Sequence, residues 1–113
     1  MTLGQKQEIF TSNVAKLIIF AENNGLKCRA RELQRTMEQQ EIYLKSGKSK
    51  TAKSNHLNSC AIDIYFFKNG KMLETKSEMQ FLGDYWESLH QENTWGGNYK
   101  SFLDCPHFEM NSY

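Results

Sequence analysis

Neither sign of charge dominates these 113 residues: 14 Lys and Arg stand against 13 Asp and Glu, a formal net charge of +1. Such a chain projects no field that would gather nucleic acid or an anionic membrane, so partner choice must come from a local site. Cysteine is scarce. Cys28, Cys60 and Cys105 are odd in number and lack CxxC spacing, which argues against a disulfide framework and a cysteine-rich zinc module and leaves reduced thiols filling core space. Long apolar runs are missing too. Residues 1–8 are polar, and the apolar cluster at 14–21 is interrupted by Lys16 and followed by Glu22, so neither a signal peptide nor a membrane span is expected. The expectation is a monomer made and kept in the cytoplasm, with no stable membrane insertion and no nucleic-acid partner. At this length residues 1–113 should form one domain with a modest core.

Ile9, Phe10, Val14, Leu17, Ile18 and Ala21 recur at three-and-four spacing, predicting a helix over residues 5–24 with Gly25 as its C-cap. Residues 26–35 alternate weakly and read as a highly charged strand. Thr36 suits the N-cap of a second helix, with Gln39 completing a capping box. Met37, Ile42, Tyr43 and Leu44 are its packing candidates, and Gly47 ends it. Residues 48–55 read as a loop whose lysines form a solvated run leading to His56. Residues 60–67 are β-branched and aromatic, and Lys68-Asn69-Gly70-Lys71 carries the Asn-Gly signal of a tight hairpin with residues 72–74 beginning the return strand. A third helix is expected over residues 79–90, then a loop containing Trp95, Gly96 and Gly97, then a short strand over 106–110. Trp86 reads as core and Trp95 as a cleft wall. Helices and antiparallel strands in mixed order, without a βαβ rhythm, predict an α+β domain in which a small antiparallel sheet packs with about three helices.

The chain has three histidines. His56 lies at a loop end with Asp63 seven residues later on a strand, and His107 lies near the C-terminus with Asp104 three residues before it. Two imidazoles and one carboxylate would meet the demand of a catalytic zinc, which takes three protein ligands and keeps a position open. Strand alternation places Asp63 with Ala61 and Tyr65, away from Cys60, Ile62, Ile64 and Phe66, so that the apolar face enters the core and Asp63 faces a cleft. His107 and Glu109 share a face of the last strand, and Asp104, just before Pro106, is placed for a general base. Spacing alone leaves structural histidines as the default. His90 reads as a surface or cap residue, and Cys60 and Cys105 as non-ligands.

The string Ser54-Asn55-His56-Leu57-Asn58-Ser59-Cys60-Ala61-Ile62-Asp63, with Asp104-Cys105-Pro106-His107-Phe108-Glu109, resembles the paired motif of the D-alanyl-D-alanine carboxypeptidase and L-alanyl-D-glutamate endopeptidase family of zinc peptidases, many of them phage endolysins. Residues 34–40 and Trp95-Gly96-Gly97-Asn98 resemble further segments of it. The resemblance implies a hedgehog/DD-peptidase-like fold, Zn2+ on His56, Asp63 and His107, and Asp104 as catalytic base. It also implies Arg35 and Ser54 in substrate binding, beside Trp95 as cleft wall, although on sequence alone Arg35 could equally be a surface charge at a helix start. Glu109, on the strand face of His107, reads as orienting its imidazole, with a competing base as the alternative. The implied substrate is the peptidoglycan stem peptide, reached after release, as with a phage holin. The L-alanyl-D-glutamate endopeptidase is the favoured activity; a D-alanyl-D-alanine carboxypeptidase, a catalytically inactive wall-binding relative and a metal-free interaction domain remain alternatives. One position departs from the pattern: Ser59 stands where many relatives carry Gly.

Overall fold

A computed structural model describes residues 1–47 and 54–113; the loop expected over 48–55 lies mostly outside the described residues, as do Lys48, Lys50 and Lys53. The elements run α1 (Leu3–Asn23), β1 (Lys27–Arg31), α2 (Met37–Ser46), β2 (Ala61–Lys68), β3 (Lys71–Met72), α3 (Lys76–Leu89), β4 (Asn93–Trp95) and β5 (His107–Met110). Short 3-10 turns occupy Asn55–Asn58 and Gly96–Asn98. All recorded strand pairs are antiparallel, in the order β1-β2-β5-β4 with β3 pairing β2. This is the expected α+β architecture, with three α-helices among the described residues.

The helices begin where side chains satisfy the free N–H groups of a first turn. Thr2 and Gln5 form a reciprocal capping box on α1, and Thr75 and Glu78 do so on α3, starting that helix three residues before the apolar pattern becomes visible. Asn24 caps the end of α1, and Gly25 supplies the left-handed turn at φ 81°. The Asn-Gly hairpin forms as predicted: Asn69 and Gly70 both take positive φ, and Lys68 pairs with Lys71, the pattern of a two-residue type I′ turn whose twist suits its strands.

The core lies between one face of the sheet and helices α1 and α3. Phe10, Leu17 and Ala21 of α1 meet Met79, Leu82 and Trp86 of α3 over Ile62, Ile64, Phe66, Phe108 and Met110. Trp86 is its hub, edge-on to Phe10 at 5.6 Å and to Phe108 at 5.9 Å, with its indole N–H donating to the Glu109 carbonyl. Each such side chain contributes about 1.5–3 kcal/mol on burial, and all these apolar groups occupy the sheet face opposite Asp63. Among the described residues, no helix is long and apolar enough to cross a membrane.

Two expectations are corrected. Trp95 lines no cleft: it is 0% exposed, forms the end of the short strand β4 rather than a loop, and donates its indole N–H to the Cys105 carbonyl. A three-residue strand is too short to show a period, which hid it. In α2, Met37, Ile42 and Leu44 are exposed while Gln40 is buried, because this helix turns its polar side toward Arg35 instead of an apolar face toward the core.

Gly83 of α3 shows how tightly Trp95 is held, since a Cβ there would run into the indole ring. Ala is the better helix former by about 1 kcal/mol, but the buried ring has no room to retreat. Gly83→Ala should therefore lower stability by about 1–3 kcal/mol, read as a drop in the urea midpoint; a stabilised variant would contradict this packing.

Candidate metal centre and active site

The pairing of β2 with β5 sets Asp63 directly opposite His107 and Ala61 opposite Glu109. Opposed residues in an antiparallel pair share a face with close Cβ atoms, so the register that sends Ile62 and Phe108 into the core brings Asp63, His107 and Glu109 together on the other side.

His56 arrives from a separate piece of chain. Its 3-10 turn is capped by the Ser54 hydroxyl, which accepts from the His56 N–H at 3.2 Å, and the Cys60 N–H returns to the Asn55 carbonyl at 2.9 Å as the chain enters β2. Between them Ser59 holds φ 54°. That left-handed conformation suits glycine, which lacks the Cβ that makes the conformation costly.

One nitrogen of each imidazole and a carboxylate oxygen of Asp63 lie within 4.8 Å of one another. Asp63 Oδ1 is 3.5 Å from His56 Nε2 and 3.4 Å from His107 Nδ1, and it is buried without a hydrogen bond. The outer ring nitrogens are engaged elsewhere: His56 Nδ1 lies 3.1 Å from the Leu33 carbonyl oxygen and His107 Nε2 2.6 Å from Glu109 Oε1. A carbonyl oxygen can only accept, so Nδ1 of His56 carries the proton and Nε2 turns a lone pair inward. Glu109 fixes His107 in the corresponding way. Inward-facing acceptors around a buried carboxylate call for positive charge between them, and two imidazoles with one carboxylate fit a divalent metal.

The electrostatics agree. Burial alone would raise the Asp63 pKa, yet the imidazoles of His107 and His56 bring it down to about 2. Burial would lower that of His107, but Asp63 and Glu109 raise it to about 9. Glu109 stays ionised against its own burial because it accepts from His107, from the Tyr99 hydroxyl and from Asn55 Nδ2. Neither Tyr99 nor Asn55 stood out in the sequence, since each acts only through Glu109, 10 and 54 residues away.

Asp104 lies beside this cluster without belonging to it, its Oδ2 4.0 Å from His107 Nδ1. Burial pushes its carboxyl above the usual range, toward readiness to hold a proton. The Gly96 carbonyl accepts from the Asp104 N–H at 3.0 Å, and a Cβ on Gly96 would strike the Asp104 carbonyl oxygen. Arg35 is close to the same place: its N–H donates to the His56 carbonyl, and its guanidinium bonds to Glu32, Gln40 and Ser54. Ser54 is buried beneath Arg35 rather than open on the cleft. His90 caps α3, its Nδ1 accepting from the Glu92 N–H. Cys60 and Cys105 are free thiols outside the metal-type cluster found among the described residues.

A proton on His107 contributes stability to the metal-free chain in full below its ordinary pKa of 6.5 and loses it as pH rises through about 9. The metal-free protein should therefore lose thermal stability over that window. A metal binding at pH 7 should expel about one proton, a release that fades above pH 9. Calorimetry in buffers of different ionisation enthalpy reads this, and zero release at pH 7 would contradict the arrangement. Ser59→Gly should raise stability by about 0.5–1 kcal/mol in urea unfolding through relief of the left-handed strain; a loss would show that φ is not what costs there.

A family model described as D-alanyl-D-alanine carboxypeptidase matches residues 47–110. The L-alanyl-D-glutamate peptidase of Listeria phage A118 is 35% identical over 100 residues, covering 85% of this chain and 34% of its own length, so the chain spans only a third or so of that relative. The crystal structure of the Serratia marcescens L-Ala D-Glu endopeptidase ChiX shares the fold at a TM-score of 0.69, with 23% identity over 88% of this chain and 79% of that one. The matched segment takes in His56, Asp63, Asp104, His107 and Glu109 together, and the chain belongs to the D-alanyl-D-alanine carboxypeptidase family.

Proposed function

We propose that this chain is a zinc-dependent peptidoglycan peptidase whose residues 1–113 form the catalytic domain, with stem peptides as substrate and the L-alanyl-D-glutamate bond as the one cut. The convergence of His56, Asp63 and His107 around an unsatisfied carboxylate oxygen carries the reading. Support for the bond comes from the name of the phage relative. Its phage origin also favours a role in lysis, with the monomer reaching the wall through a holin.

In this reading His56, Asp63 and His107 would hold the zinc, which when bound would supply Lewis acidity and lower the pKa of a water. Asp104 takes the proton of the water that attacks the scissile carbonyl. As the C–N bond breaks, it hands that proton to the departing amine, leaving a free amine and a carboxylic acid that then ionises to solvent. Its raised pKa suits both halves of the transfer. Arg35 holds a substrate carboxylate or carbonyl. Ser54 braces Arg35 from below, and Glu109 keeps His107 in the ligating tautomer.

A D-alanyl-D-alanine carboxypeptidase is the second reading, favoured by the description of the family model. Digestion of purified muropeptides with mass analysis separates the two: free D-alanine would overturn the endopeptidase. Asp104→Asn should keep stoichiometric zinc while losing on the order of 10²–10⁴-fold in kcat, whereas His107→Ala should lose both. Full activity of Asp104→Asn would remove the base assignment. No lysis of permeabilised cells despite bound zinc would favour an inactive wall-binding protein.

A further inference from the structure

Arg35 is held by more of its neighbours than a surface arginine would be. Its Nε donates to Glu32 Oε1, and its Nη1 donates to Gln40 Oε1 and lies 3.4 Å from Ser54 Oγ. The guanidinium carbon sits 4.7 Å over the Tyr43 ring, and the Tyr43 hydroxyl donates to Glu32 Oε2 at 3.2 Å. Glu32 thus uses one oxygen on the arginine and the other on the tyrosine that stacks against it. The Arg35 side chain is 9% exposed, and among the described residues its Nη2 makes no hydrogen bond.

The backbone of Glu32 is also unusual. It takes φ 24° immediately after β1 ends at Arg31, a region that costs a residue with a Cβ about 1–3 kcal/mol and persists only where the surroundings impose it. The turn it makes delivers the Leu33 carbonyl to His56 Nδ1 and the Arg35 N–H to the His56 carbonyl.

We propose that Glu32 is a positioning residue for substrate capture. With Tyr43 it turns the Nε edge of Arg35 inward, and with Nη1 spent on Gln40 and Ser54, only the Nη2 end remains for the ligand. Arg35 then grips one oxygen, a peptide carbonyl or a single carboxylate oxygen, and not a side-on pair. The inference rests on the reading of Arg35 as a substrate residue in the proposed peptidase.

The test combines kinetics with a measurement that needs no turnover. Glu32→Ala should raise KM for a stem peptide about tenfold, the loss of one charged hydrogen bond, with kcat changed less than about threefold and zinc content unchanged. Glu32→Gln, which keeps an acceptor for Nε, should recover most of the affinity. Tyr43→Phe should shift KM in the same direction by less, and serves if Glu32→Ala fails to fold. In an Arg35→Ala background the Glu32 effect should vanish, because the two act as one unit. An equal KM rise in that background, or loss of zinc with KM unchanged, would overturn the proposal. Nitrogen-15 spectroscopy of the Arg35 Nε–H decides the point even if the wild type cleaves no peptide, an outcome that would end the peptidase reading alone. Slow hydrogen exchange in the wild type that quickens in Glu32→Ala supports the positioning role, and identical exchange in both refutes it.

Discussion

A buried carboxylate oxygen with two imidazole nitrogens facing it is the constraint around which this molecule is arranged. Removing a carboxylate from water costs several kcal/mol unless something positive compensates. Asp63 Oδ1 finds no compensation in hydrogen bonding, so the site selects for a cation or a proton. The rest of the structure keeps the three groups from relaxing apart. Register fixes two of them, because Asp63 and His107 are opposed on paired strands and neither can turn away without reversing a face that carries Ile62, Ile64 and Phe108.

The third group is fixed from outside the sheet. His56 stands on a single 3-10 turn, too short to define a ring orientation by itself, and the Leu33 carbonyl supplies the missing restraint. On the opposite flank Glu109 does the same for His107 and is itself saturated by Tyr99 and Asn55. Small residues make these approaches possible: Gly96 admits the Asp104 carbonyl, while Gly83 and Gly97 make room for the Trp95 ring.

Much of this was legible in the residue order. Period-two alternation through residues 60–67 placed Asp63 outward and its neighbours inward, and the Asn-Gly pair announced the hairpin, because both signals are local. The metal-type triad was legible as chemistry and gained weight from the resemblance of its flanking residues to known peptidases. What escaped was non-local or carried by the backbone. No residue type marks the Leu33 carbonyl as a partner of His56, and the φ of Glu32 leaves no trace in its identity. Trp95 looked like a cleft residue because an indole beside two glycines suggests an open loop, whereas the glycines are there to accommodate a buried ring. The apolar residues of α2 misled in the opposite sense, since that helix buries Gln40 against an ion pair and leaves Met37 and Ile42 outside.

In the proposed reading, the two bonds between His56 and the segment 33–35 tie the ring that would hold the metal to the guanidinium that would meet the substrate. Recognition and ligation are therefore parts of one mechanical unit. Variation that retunes the arginine for a different peptide would disturb the imidazole as well, so diversification of specificity on this scaffold would have its freer path through the cavity on the other side of Asp63, where β1 and the outer face of β2 present Arg29, Arg31 and Tyr65, which among the described residues make no hydrogen bond to either histidine.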